Sequence, residues 1–96
     1  MAINVNVRLM GVFRALSRKS SVSLKLEEPT VHEIVEKIAE LFSSDSRRML
    51  IDPELNDPRP NALILVNGKE ISVLKGLETK IREGDQIILI PVSHGG

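Results

Sequence analysis

The chain has 96 residues, 42% hydrophobic and 27% charged, a length that supports one hydrophobic core and leaves none for a second domain. Thirteen Lys and Arg balance thirteen Asp and Glu, so no bulk charge draws it to nucleic acid or an anionic membrane; two Phe with no Trp or Tyr make a poor base-stacking platform, and the lack of cysteine removes disulfides, thiolate metal sites and a thiol nucleophile. No apolar run approaches the roughly 20 residues of a membrane span, and the opening MAINVNVRLM alternates where a signal peptide would be continuously apolar, so a soluble cytoplasmic protein without nucleic-acid or membrane partners is expected.

Ile3, Val5, Val7 and Leu9 alternate with Asn4, Asn6 and Arg8, the period-2 pattern of a half-buried strand. Gly11 opens a polar, basic connection through Ser17, Arg18, Lys19 and Ser20. Val22, Leu24 and Leu26 then alternate with Ser23 and Lys25 in a second strand, which predicts an antiparallel hairpin. Thr30 with Glu33 three residues on is a capping box, and Val31, Ile34, Val35, Ile38, Leu41 and Phe42 follow at helical spacing, with Glu33, Glu36, Lys37 and Glu40 on the solvated side. Residues 43–61 are irregular and hold three of the five prolines; within them Asp45 is placed to cap a short turn through Arg47, Arg48, Met49 and Leu50. The unbroken apolar run Ala62 to Val66 predicts a strand covered on both faces or lying centrally in the sheet, closed by an Asn67-Gly68 turn, with a short strand near Ile71 to Val73. Glu83-Gly84-Asp85 is a tight turn into the last strand, Gln86 to Ile90, whose hydrogen bonding Pro91 ends. This order describes an α+β domain over residues 1–91, a mixed sheet of four or five strands packed on one main helix, with residues 92–96 as a flexible Gly-Gly tail.

The chain carries little of the chemistry an enzyme needs. Gly68-Lys69 lacks the upstream glycine of a phosphate loop, and Glu70 stands where Ser or Thr would follow the lysine. His32 and His94 have no second ligand at metal-binding spacing, so no metal site is expected. Glu27 and Glu28 are adjacent at a strand end and point apart, and Arg18-Lys19 and Arg47-Arg48 are short basic pairs suited to solvated surface. The last two residues, Gly95 and Gly96, are different: two glycines at a given place arise by chance in roughly one chain in 200. Without Cβ atoms they can lie extended in a channel too narrow for any other residue and deliver an α-carboxylate to a partner's active site. Such a carboxylate becomes an acyl donor once ATP adenylates it, after which a sulfur or amine nucleophile displaces AMP. A carrier of this kind needs no catalytic side chain and no bound cofactor.

Three stretches carry a family likeness: Val12-Phe13-Arg14-Ala15-Leu16, a loop after the first strand; Leu65-Val66-Asn67-Gly68; and Ile81-Arg82-Glu83-Gly84-Asp85-Gln86-Ile87 leading to Ile90-Pro91-Val92-Ser93-His94-Gly95-Gly96. Through them nearly the whole chain resembles the ubiquitin-like β-grasp sulfur carriers, above all MoaD, the small subunit of molybdopterin synthase, and more distantly ThiS. The resemblance implies a β-grasp fold with its first and last strands parallel at the sheet centre. It implies that Gly96 is adenylated, with ATP, by a ubiquitin-activating-type enzyme of the MoeB/ThiF kind and converted to a thiocarboxylate. Gly95, His94 and Ser93 would thread the channel, and a large MoaE-like subunit would hold the catalytic residues that move sulfur to the pterin. His94 before Gly95-Gly96 resembles instead the eukaryotic ubiquitin-related modifier of tRNA thiolation, and the long stretch 45–61 resembles archaeal ubiquitin-like modifiers.

Three functions are therefore weighed: a sulfur carrier for molybdopterin or the related tungstopterin synthesis, with tRNA thiolation as its alternative acceptor, a modifier joined to lysines through Gly96, and an interaction module with an idle tail. Phe13, Pro91 and Val92 are the candidate partner-docking residues, because interface cores favour apolar anchors. Phe13 is equally suited to closing one end of the core, which has few other aromatics to draw on.

Overall fold

The computed structural model describes residues 2–92. Its elements are β1 (Ile3–Leu9), α1 (Gly11–Ser17), β2 (Ser21–Leu26), α2 (Val31–Ala39), β3 (Ala62–Val66), β4 (Lys69–Glu70) and β5 (Gln86–Pro91), with single 3-10 turns at Arg47–Met49, Ile71–Val73 and Gly76–Glu78. The sheet order is β2-β1-β5-β3-β4. β1 and β5 run parallel at its centre, with Val7 beside Ile87 and Leu9 beside Leu89. Every other pairing is antiparallel.

The period-2 pattern of β1 is realised as read: Val5, Val7 and Leu9 are buried beneath the helices and Asn4, Asn6 and Arg8 are exposed on the opposite face. Val31, Ile34, Val35 and Ile38 form the stripe by which α2 closes the core. Thr30 caps α2 by accepting from the Glu33 amide. The Glu33 carboxylate reaches past the cap and accepts from the amides of Glu27 and Glu28, at 3.2 and 2.9 Å, which fixes the link from β2 into the helix. Thr30→Ala is expected to lower stability by about 1 kcal/mol, seen as a lower denaturation midpoint with an unchanged slope.

Several expectations are corrected. The stretch after Gly11 is the helix α1, a short second helix beside the main one. It carries no side-chain N-cap and ends on Arg18 in the left-handed region, so neither usual terminus signal is present. α2 stops at Ala39, and its continuation is a turn in which Phe42 is buried but Leu41 stays exposed. Ser43, not Asp45, caps the turn before Arg47: its carbonyl accepts from Ser46 and Arg47 and its hydroxyl oxygen from the Ser46 amide. That turn buries Leu50 but leaves Met49 exposed. Arg47, expected on a solvated surface, meets the Glu36 carboxylate at 2.8 Å and ties the irregular segment to α2.

β3 lies inside the sheet, paired with β5 on one edge and β4 on the other, but it is covered on one face only, since its residues alternate between buried Ala62, Ile64 and Val66 and outward Leu63 and Leu65. The short strand is Lys69–Glu70, starting two residues earlier than expected. The Glu70 carboxylate accepts from the Ser72 amide and curls Ile71–Val73 into a 3-10 turn. The two expected turns lock to each other: Asn67 accepts from the Gln86 amide and donates to Asp85, which in turn accepts from the Arg82 amide. They close the pole of the domain remote from the end of β5.

Candidate functional site

The site begins where β5 leaves the sheet. Ser93, His94, Gly95 and Gly96, expected to carry the chemistry, lie outside the described residues; Pro91 and Val92 are the base from which they follow. Pro91 does not end the ladder. It pairs with Ala62, and the Val92 amide donates to the Asn61 carbonyl at 3.0 Å, so sheet bonding reaches one residue into the expected tail. On the other flank the Met10 amide donates to the Leu89 carbonyl at 3.1 Å.

The face of the sheet turned away from the helices carries an apolar strip that leads to this exit. Register sets Leu63 opposite Ile90 and Leu65 opposite Ile88. Leu63 and Val92 are exposed at 37% and 38%, and Leu65, Ile88 and Ile90 are half-buried. Arg8 lies beside Ile88 and Glu70 opposite Leu65, so an apolar centre is edged by charge, the layout of a partner interface. This strip was not singled out from the sequence. Ala62 to Val66 read as a continuously buried run, and the signal that would have exposed it is that one main helix can cover only one face of a sheet.

Of the predicted docking residues, Val92 sits at the head of the strip and Pro91 is half-buried behind it. Phe13 is corrected: it is fully buried and stacks on Phe42 with ring centroids 6.3 Å apart. Its ring closes the core under α1 and has no surface to offer a partner.

A hollow of about 260 Å³ flanks the exit, lined by Arg59, Leu63, Glu70, Ser72 and Val92 among others. Arg59 is held there by Asp57, its Nη2 donating to Oδ2 at 2.6 Å and its Nε to Oδ1 at 3.0 Å. The hydrogen bond from Arg59 keeps the Asp57 carboxyl below the usual carboxylate range. A guanidinium paired to a carboxylate thus lines the same hollow as Val92. Elsewhere, among the described residues no group of three or more His, Cys, Asp or Glu is placed to hold a metal ion. His32 is exposed on α2, 3.9 Å from Glu36. Among the described residues no helix is long and apolar enough to cross a membrane.

Comparison with known proteins bears on a site that is a base for a tail plus an apolar sheet face. The family model of Urm1, ubiquitin related modifier, matches residues 4–96. The chain is 29% identical over 79 residues to a "Putative sulfur carrier protein" of Archaeoglobus fulgidus, covering 81% of this chain and 86% of that one. Its structure superposes with a TM-score of 0.81 on the small archaeal modifier protein 1 of Methanosarcina acetivorans, at 22% identity over 100% of this chain and 99% of that one. A "Putative molybdopterin converting factor, subunit 1" from Pyrococcus furiosus gives 0.72 at 19% identity, covering 95% and 99%. These likenesses establish the ubiquitin-like β-grasp fold, and the chain belongs to the Urm1 (ubiquitin related modifier) family, a family of ubiquitin-like sulfur carriers and modifiers.

Proposed function

We propose that this protein is a sulfur carrier activated at the Gly96 carboxylate. The observation that carries the reading is the pairing of a Gly95-Gly96 terminus with a β-grasp domain whose central strand leads into it beside an apolar sheet face. A carboxylate oxygen of Gly96 attacks the α-phosphorus of ATP in an adenylating enzyme of the ubiquitin-activating type, pyrophosphate leaves, and a sulfur nucleophile then displaces AMP. The carrier supplies the acyl group and the docking surface; the catalytic groups are its partner's. The similarity to a protein named as a sulfur carrier supports this reading.

For the acceptor, the likeness of Ile81 to Gly96 to the MoaD pattern supports sulfur transfer to a pterin within a two-subunit molybdopterin synthase, with a MoaE-like large subunit docked on the sheet. A second reading, a modifier joined to lysines through Gly96 or a donor for tRNA thiolation, is favoured by the family model, which bears the name of a modifier and runs to residue 96. Both readings share the adenylation step and separate at the acceptor. Incubating the full chain with ATP, sulfide and its adenylating enzyme, then with either a precursor pterin and large subunit or a cell extract, tests them. Sulfurated pterin supports the first, and Gly96-linked lysine peptides or thiolated tRNA support the second.

Docking through the sheet is tested separately. Ile88→Glu places a charge at the centre of the apolar strip, where interface anchors contribute most. Its affinity for the adenylating enzyme is expected to fall by at least about tenfold, the effect of losing one such anchor, with little change in thermal midpoint because the side chain faces outward.

A further inference from the structure

We propose that Gly11 and Asn61 are positioning residues that together fix the direction in which the chain leaves the sheet at Val92, and so aim Gly96 at its activating enzyme; this rests on the tail-activation reading above.

The two flank β5 from opposite sides. Gly11 opens α1 with φ of +51°, and a Cβ built on it would stand 2.8 Å from Pro91 Cγ and 3.4 Å from Cδ. Any other residue there would be strained and would also push on the Pro91 ring. That ring cannot rotate away as a flexible side chain would, because it is closed onto its own backbone nitrogen. The displacement therefore passes to the Pro91 backbone and on to Val92. Asn61 holds the other flank: its carbonyl accepts from the Val92 amide at 3.0 Å, and its side-chain amide donates to the carbonyls of Arg48 and Leu50 at 3.2 and 3.4 Å. The irregular segment between α2 and β3 thereby braces the exit, which gives that segment a role in the carrier.

The leverage is geometric. Four residues follow Val92, and drawn out in a channel they span at most about 14 Å. A displacement of Val92 would then move the point from which that span starts, on a scale where a 1 Å misplacement can cost about 100-fold in rate. Binding through the sheet face would be untouched, so the loss falls on turnover.

The test is steady-state adenylation of the full chain, followed by pyrophosphate release. Gly11→Ala is expected to lower kcat at least about tenfold with KM within about twofold. Gly11→Ala combined with Pro91→Ala, which removes the ring atoms in the way, should return kcat to that of Pro91→Ala alone. Gly84→Ala is the control for backbone strain, since Gly84 has φ of +84° with nothing within 4 Å of an added Cβ; it should keep wild-type kcat. Asn61→Ala keeps the carbonyl that holds Val92 and removes only the side-chain brace to Arg48 and Leu50, so it should lower kcat in the same direction but by less than Gly11→Ala. Residual dipolar couplings of the Val92 amide read the exit direction without any enzyme, and should change in Gly11→Ala and in Asn61→Ala.

An unchanged kcat in Gly11→Ala, or an equal loss in Gly84→Ala, overturns the proposal while leaving tail activation intact. A wild-type chain that is never adenylated sinks the tail-activation reading itself. Unchanged Val92 couplings in both variants overturn the positioning role whatever the enzyme does.

Discussion

Deleting Gly95 and Gly96 is expected to abolish adenylation and thiocarboxylate formation while moving the thermal midpoint by no more than about 4 °C. Among the described residues every member of the hydrophobic core precedes Val92, and the deletion leaves all of them in place. It places His94 at the end, with an imidazole where the channel argument requires no Cβ at all. Loss of turnover with the fold retained separates the carrier and the modifier from an interaction module, which would keep its binding without the two glycines. Pyrophosphate release and thermal unfolding of the same sample provide the two readouts.

The second large effect is on stability. Phe13→Ala empties a fully buried site and removes the stacking partner of Phe42, and buried Phe-to-Ala changes cost about 3–5 kcal/mol. Against a total of about 5–14 kcal/mol for a domain of this size, the thermal midpoint should drop by more than about 10 °C. Phe13→Leu, which fills most of the volume, should restore much of that loss and bind the adenylating enzyme as the wild type does. Weakened binding in a stably folded Phe13→Leu would return a docking role to this residue. Calorimetry and a binding titration on the two variants, with Ile88→Glu beside them, separate core from interface.

Much of the fold is legible because the burial periodicities are strong. The alternation of Ile3 to Leu9, the stripe from Val31 to Ile38 and the Thr30 cap are local patterns that packing reinforces. What eluded the sequence depends on partners far along the chain. α1 has no side-chain cap and no C-terminal glycine, and is held by Phe13 packing on Phe42. β4 ends after two residues because a carboxylate captures an amide two positions on, a competition between side chain and ladder that periodicity does not register. The site divides in the same way. Gly95-Gly96 is visible as a motif, whereas the apolar strip needs β3 and β5 in register. Nothing in the sequence marks Gly11 as facing Pro91, 80 residues away, or Asn61 as the brace of Val92.

The central claim is that the Gly96 carboxylate carries sulfur. Its most direct test is mass spectrometry of the intact, N-terminally tagged chain recovered from its own cells under non-reducing conditions, with fragmentation to place any change. The prediction is a mass gain equal to exchange of one oxygen for sulfur, located at Gly96. A terminus bearing only an ordinary carboxylate under conditions where the adenylating enzyme is active would contradict it.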